Sequence, residues 1–399
     1  MGAASSKNLL LRKERRQKID RNEKKSSSFS KKLFRRATRS TVVVASTDET
    51  NRLSDSADRS DCYAQSKSTS SGHRYRYLNG RRHHDDEEVN YVLPNDDDEV
   101  DRNHQQHWVL RHIFQCNFHA PVHKQLENGI QVLDSGCGPA TWTLEMGDAY
   151  PNSKFIGIDV SALFPENIKP PNVEFITGNI AKNIPFDDNT FDYIHQRLVI
   201  LGLTEKDWQN NLKELYRILK PGGYLELAEP VMDMTDTGPL TKEYETALHS
   251  ALLYRNMCPN IGEQLHDRLI STGFENVTML NRQIPINHDG KAGELWWQDF
   301  KYVSLALRPI VAKINSDFED PGKFETHLEN CGIECRNYKT NVKWFINYAQ
   351  KPPSDKNATK FHSKIWWFNT YVSKVCPTSC LPFVCSQLYK TVLTIGIYR

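Results

Sequence analysis

Two kinds of hydrophobic spacing alternate along the middle of the chain. Short runs of consecutive apolar residues are typical of buried strands, and longer segments with apolar residues every three or four positions are typical of helices. The short runs predict strands at 130–134, 155–159, 173–177, 191–195 and 224–227, with helices at 142–150 and 208–219. Strands and helices that alternate in this way predict an open, mostly parallel sheet with helices on both faces, a doubly wound α/β fold.

The pattern continues with less regularity towards residue 350. It predicts helices at 240–253 and 263–270, a helical group at 291–330 and a last strand at 342–348. Upstream of the first strand, acidic residues follow Asn95 and Asp96, and apolar residues then recur at helical spacing to about residue 118. Either side chain suits the N-cap of a helix there, because both accept hydrogen bonds from free backbone N–H groups.

Both ends of the chain lack this periodicity. Residues 1–90 alternate Ser-rich and charged stretches, with few apolar positions. Such a segment buries too little surface to offset the roughly 1–2 kcal/mol per residue that ordering costs, so we expect a disordered arm. The folded domain is then expected at 91–350. For the tail, residues 351–399, three interpretations stay open: a packed appendage, a lipidated segment or an artefact of the gene model.

Charge separates the arm from the rest of the chain. The whole chain has a formal net charge of +2, but residues 1–40 hold 14 Lys and Arg against three acidic residues, a net +11 that leaves −9 for the remainder. The first six residues match the M-G-x-x-x-[ST] pattern for N-myristoylation of Gly2. One acyl chain binds membranes only marginally, and the basic arm supplies a second attraction, towards an anionic membrane surface.

Two alternatives to membrane anchoring stay open for the arm: a nuclear-import or nucleic-acid patch, and a solvated tail without a specific role. We expect a cytoplasmic protein that associates with membranes through its N-terminus, with the nucleus as the alternative and no specific nucleic-acid partner. No run approaches 18 consecutive apolar residues, so no membrane-spanning helix is predicted. Nine scattered cysteines without a C-x-x-C pair predict neither a disulfide framework nor a metal site.

The turn after the first predicted strand indicates the class of ligand. Gly136 and Gly138 allow a ligand to approach the backbone, but Thr141 stands where a dinucleotide fingerprint has its third glycine. Asp134, two positions before the first glycine, would repel a pyrophosphate, whereas its carboxylate can receive an ammonium group. Thr141 and Asp134 therefore both oppose an NAD-dependent dehydrogenase.

Two further strand ends extend this ligand description. Asp159 ends the second predicted strand, where a carboxylate can accept both hydroxyls of a ribose. Asn179 and Ile180 follow the third strand, where they can hydrogen-bond an adenine amine and cover its ring. An ammonium group, a ribose with free hydroxyls, an adenine and no phosphate together describe S-adenosyl-L-methionine.

With these motifs, the chain resembles the class I S-adenosylmethionine-dependent methyltransferases, and most closely the fungal trans-aconitate methyltransferase-like and LaeA-like group. The resemblance covers about 91–350 and rests on four segments: 91–96, 132–140, 191–195 and 219–230. It implies a Rossmann-like, mostly parallel sheet of seven strands with a late antiparallel strand from Gly273. It also implies a helical cap at 291–330 over the acceptor pocket. Two departures are Ala140 for the usual third glycine and Asn179 for a frequent Asp.

The resemblance implies transfer of a methyl group to an unidentified acceptor, either a small molecule or a protein. A base is needed only where the acceptor must lose a proton, and His195 and Glu229 are the nearest candidates. His195, at the end of the fourth strand, is also a candidate cofactor contact, with a purely structural role equally open. Arg102 is a candidate for the methionine carboxylate. A regulatory or interaction protein with this fold and little catalysis stays the alternative.

Overall fold

The computed structural model describes residues 75–78, 80–85 and 89–354. Most of the predicted arm, including Gly2, therefore lies outside the described residues, as does most of the tail. The prediction that the whole of 1–90 is disordered is wrong at its end, because β1 (Tyr75–Leu78) and β2 (Arg81–His84) form an antiparallel hairpin.

Polar contacts fasten this hairpin to the domain. The Arg81 guanidinium donates to both oxygens of Asp96, at 2.6 Å, and the Asn95 N–H donates to the Arg82 carbonyl at 2.8 Å. Asp96 also caps α1 (Asp97–Phe114), because its side chain accepts from the Glu99 N–H. A hairpin held by charged groups contributes almost nothing to an apolar pattern, so periodicity could not reveal it.

Seven strands form one sheet in the order β5-β4-β3-β6-β7-β9-β8. Their bounds are Gln131–Ser135 for β3, Lys154–Asp159 for β4, Val173–Thr177 for β5, Phe191–Arg197 for β6, Leu219–Thr235 for β7, Glu275–Pro285 for β8 and Asn341–Gln350 for β9. The strands β3 to β7 pair in parallel, and β9 runs antiparallel to both of its neighbours. This confirms the predicted doubly wound sheet. Chain order reverses between β3 and β6, so a crevice opens beyond their carboxyl ends.

Helices cover both faces of the sheet. They comprise α1 together with α2 (His123–Asn128), α3 (Thr141–Ala149), α4 (Glu205–Ile218), α5 (Pro239–Tyr254), α6 (Ile261–Thr272), α7 (Lys291–Val311) and α8 (Pro321–Tyr338). A capping box between Thr204 and Asp207 starts α4, and its buried stripe includes Trp208 and Leu215. No helix in the described part of the chain has both the length and the apolar character needed to cross a membrane.

The alternation of side chains along the strands decides which residues face the site. Leu133 and Ile194 belong to the core cluster that includes Trp208 of α4. Val132 and Tyr193 point the other way, into a cluster with Trp142 of α3. Because strand residues alternate with a period of two, Asp134 and His195 share the α3 face of the sheet.

The helical group predicted at 291–330 is confirmed as helix, in α7 and α8. It contributes no residue to the lining of the cleft described below, in contrast to the expected cap over the pocket. Its Asp299 instead receives hydrogen bonds from Arg102, at 2.7 Å, and Gln106, at 2.9 Å. The group thus supports α1 from outside, and α1 itself forms a side of the cleft.

Candidate active site

A cleft lies at the carboxyl ends of β3, β4 and β6. It holds about 1180 Å³ of space that no atom fills, part of it open to solvent. Its lining comes from the turn after β3, the segments after β4, β5 and β6, the segment before α1, and one face of α1.

The turn after β3 presents bare backbone to the cleft. Gly136 and Cys137 donate their N–H groups to the Ile158 carbonyl, at 2.8 and 3.0 Å, which locks the turn onto β4. Gly136 and Gly138 both have positive φ, 73° and 52°. A Cβ at Gly136 would lie 2.8 Å from the Val199 side chain, whereas beside Gly138 no heavy atom lies within 4 Å. A flat ligand can therefore lie against the peptide at Gly138.

Asp134 forms the floor of the cleft at the end of β3. One carboxylate oxygen accepts from the Thr143 hydroxyl at 2.5 Å, and the other lies 3.3 Å from Nδ1 of His195. The His195 ring stacks on Trp142, with centroids 3.9 Å apart and planes at 4°. The structure thus brings Asp134 and His195 together at the lining, and α3 fixes both from below.

Asp159 lies at the end of β4, across the turn. Its two oxygens accept from the backbone N–H groups of Gly138 and Ser161, each at 2.8 Å. Burial raises the pKa of Asp159 to about 6, and these two backbone donors oppose that shift. The carboxylate is therefore mostly ionised at neutral pH, as an acceptor for two hydroxyls must be.

Asn179 and Ile180 line the cleft beyond β5, as the sequence places them. The Asn179 side-chain oxygen accepts from the Ala181 N–H at 2.9 Å, and the Ile180 carbonyl accepts from Asn211 at 3.0 Å. Ile180 also lies next to Gly136, since a Cβ there would be 3.3 Å from its terminal methyl. The roles that the sequence assigns to these residues towards the cofactor stay predictions.

Two residues proposed from the sequence do not reach the cleft. Glu229 is fully buried behind it, and its carboxylate accepts from the N–H groups of Val199, at 2.9 Å, and Ile200, at 3.3 Å. Burial raises the pKa of Glu229 to about 8, but the group holds the segment after β6 and is not placed to take a proton from a ligand. Arg102 is also misassigned, because its guanidinium is paired with Glu99 and Asp299, both at 2.7 Å.

The cleft also contains residues that the sequence interpretation missed. Arg197, at the end of β6, donates from Nη2 to Nδ1 of His107, at 3.0 Å. Because a guanidinium only donates, Nδ1 accepts, and Nε2 carries the proton that it donates to Glu145 at 2.9 Å. Burial lowers the pKa of His107 to about 4, which keeps the ring neutral. Arg197 lies two residues after His195 on the same strand face, so the period of two could have revealed it.

A segment ahead of α1 covers the cleft from above. Tyr91 and Pro94 are part of its lining, and the Val92 N–H donates to the Leu201 carbonyl at 3.3 Å. The hairpin reaches the same region, because Nε2 of His84 lies 2.6 Å from the Ser161 hydroxyl. These contacts attach the hairpin and the segment ahead of α1 to the segments that follow β4 and β6 at the cleft.

Comparisons with known proteins find one matching family model and similar proteins. The family model described as "Methyltransferase domain" matches residues 132–223. The chain is 32% identical over 229 residues to "Methyltransferase pytC" of Aspergillus terreus, covering 55% of this chain and 68% of that protein. It is 26% identical to "N-methyltransferase verN" of Clonostachys rogersoniana, with coverages of 66% and 93%. A solved structure of Haemonchus contortus phosphoethanolamine N-methyltransferase 2 with S-adenosyl-L-methionine is similar at 20% identity and a TM-score of 0.37, over 64% of this chain and 59% of that one.

Proposed function

This chain belongs to the class I S-adenosylmethionine-dependent methyltransferases, and we propose that its methyl acceptor is a nitrogen atom of a small molecule. S-adenosyl-L-methionine supplies a methyl group already activated on a sulfonium. The residues present fit this cofactor, because the space beside Gly138 is open and the carboxylates of Asp134 and Asp159 flank it. Asp134 would hold the ammonium group and Asp159 the ribose hydroxyls.

The protein contributes position and exclusion of water. Methyl transfer is an in-line displacement, so its rate depends on holding the acceptor atom against the methyl group rather than on covalent catalysis. The walls that do this are rigid: the turn at Gly136 is bonded to β4, and Glu229 fixes the backbone at Val199. Tyr91 and Pro94 close the upper side.

The protonation chemistry of the lining favours an acceptor that needs no base. Among the side chains there that could take a proton, Glu99 is paired with Arg102 and His107 lies between Arg197 and Glu145, which leaves His195, whose Nδ1 faces Asp134. A neutral amine attacks without a base and releases its proton to water afterwards, and an ionised carboxylate also needs no base, whereas a hydroxyl acceptor requires a well-placed one. Between these two acceptors, the Clonostachys relative, which is named an N-methyltransferase, favours the amine.

The test is to identify the atom that receives the methyl group. The full-length protein is incubated with S-adenosyl-L-methionine carrying a ¹³C methyl group and with either the small-molecule or the protein fraction of cells of its source. Carbon–proton correlation spectra separate N-methyl from O-methyl groups. We expect N-methyl signals from the small-molecule fraction, and none with Gly136→Val. O-methyl signals, or label confined to the protein fraction, would contradict the proposal.

For the arm, we propose that Gly2 is myristoylated and that the basic residues after it add attraction to an anionic membrane. The support is the sequence of residues 1–40, which lie outside the described residues. Mass spectrometry of the N-terminal peptide, purified from cells of the source, should show the mass of a myristoyl group on Gly2. A free or acetylated Gly2 would refute the proposal.

A further inference from the structure

We propose that Arg197 binds the α-carboxylate at the methionine end of the cofactor, and that His107 and Glu145 hold its guanidinium in position for this. The inference rests on the methyltransferase function and adds to it a specific recognition of one ligand group.

The charges of the lining create the need for such a residue. The described lining contains the carboxylates Glu99, Asp134 and Asp159, and Arg197 is its one permanently charged cation. An α-amino acid carries its ammonium and carboxylate groups on the same carbon. If the ammonium group lies at Asp134, the carboxylate is brought into the same enclosed space, where an unpaired anion is costly.

The fold places Arg197 next to this point. His195 contacts Asp134 directly, and Arg197 follows two residues later on the same face of β6. In the part of the chain that the structure describes, Arg197 has no carboxylate within ion-pair distance. Its recorded side-chain hydrogen bond is the one to His107, so further N–H groups remain for a ligand. Arg102, by contrast, is saturated by Glu99 and Asp299.

The way in which Arg197 is held preserves its charge for the ligand. His107 is buried and neutral, and it accepts from the guanidinium without cancelling the positive charge, as a carboxylate would. Glu145 fixes the tautomer of His107 from the other side and is itself bound by Arg111 at 2.7 Å. An arginine that is oriented by a neutral ring and forms no direct ion pair suits a fork-like contact with a carboxylate.

Calorimetry with two ligands tests the inference without an acceptor. Decarboxylated S-adenosylmethionine keeps the ammonium and sulfonium groups and lacks only the carboxylate. We expect the native protein to bind S-adenosyl-L-methionine about tenfold to a hundredfold more tightly than the decarboxylated ligand, the range for hydrogen bonds to a charged group. Arg197→Met should lose this preference and still bind the decarboxylated ligand as the native protein does.

Further variants separate positioning from folding. His107→Leu should reduce the preference for S-adenosyl-L-methionine, and Arg197→Lys should retain part of the preference that Arg197→Met loses. Arg268→Met is the control, because Arg268 is paired with Glu205 outside the cleft, and it should leave the preference unchanged. A native protein without the preference would overturn the inference. An Arg197→Met variant that keeps the preference would overturn it too, and this is the result expected if Arg197 binds the methyl acceptor instead of the cofactor. A native protein that binds neither ligand would instead refute the methyltransferase function.

Discussion

The two sides of the cleft are built from contacts of different range. The loop wall, residues 134–139, 159–163 and 179–181, consists of segments at the ends of consecutive strands β3, β4 and β5. Backbone N–H groups of its first segment donate to β4, at the Ile158 carbonyl and the Asp159 carboxylate. The helix wall, residues 89–107 and 197–203, joins the segment before α1 and part of α1 to the segment after β6. Contacts between residues far apart in the chain hold α1 in this wall, such as Gln106 with Asp299. Topology alone therefore fixes the loop wall, whereas the helix wall depends on individual polar pairs.

The largest expected effect comes from closing the loop wall. In Gly136→Val, the new side chain would collide with that of Val199, and a residue with φ of 73° disfavours any side chain. Calorimetry of this variant should therefore detect no binding of S-adenosyl-L-methionine. Gly222→Val is the matched control, since Gly222 has φ of 82° but no atom within 4 Å of a new Cβ and lies away from the cleft. Cofactor binding that survives Gly136→Val would contradict our placement. A cellular role that survives loss of binding would favour a regulatory protein over an enzyme.

The next effect concerns the helix wall. Asp299→Leu removes a buried partner of Arg102 and Gln106, and breaking a buried pair of this kind costs about 3–5 kcal/mol. Urea denaturation should show that loss in the free energy of unfolding. Arg268→Met breaks a more exposed pair and should cost less than about 1 kcal/mol. Equal losses in the two variants would show that the helix wall does not depend on the Asp299 pair.

A smaller effect should follow from pH at the loop wall. The pKa of Asp159 is about 6, and its ionised form accepts the ribose hydroxyls, so the affinity for S-adenosyl-L-methionine should fall as the pH drops through 6. Well below that value the loss approaches about tenfold per pH unit. Titration calorimetry from pH 5 to 8 measures it. Asp159→Asn should bind more weakly and without this dependence; an unchanged dependence would assign the titration to another group.

The smallest effect is expected at Ala140, the position that departs from the family pattern. Ala140 has φ of 66° at the start of α3, where glycine is unstrained, but its methyl group is fully buried. In Ala140→Gly, relief of strain and loss of burial oppose each other, so the free energy of unfolding should change by less than about 1 kcal/mol. A larger gain in thermal unfolding experiments would show that strain, and not packing, dominates there.

The contrast between the walls also explains how far the sequence could be interpreted. The sheet, the helices and the residues Asp134, Gly138 and Asp159 follow from local patterns, because each lies within a strand or the turn after it. The contact between His107 and Arg197 spans 90 residues and leaves no periodic trace. The role of Glu229 could not be predicted for a related reason. Its position on the strand places it near the cleft, but the sequence does not show that its carboxylate bonds to the backbone at Val199 and Ile200.

The course of the last strand determines how the molecule can be attached to a support. Because β9 runs antiparallel to β7, the end of β9 lies beside the amino end of β7. There the Gly222 N–H donates to the Lys351 carbonyl at 2.8 Å. The described chain thus leaves from the pole opposite the cleft, whereas it enters through the hairpin whose His84 contacts Ser161 at the cleft rim. An affinity handle joined after Ser354 leaves the mouth of the cleft unobstructed, and one joined directly before Tyr75 crowds it.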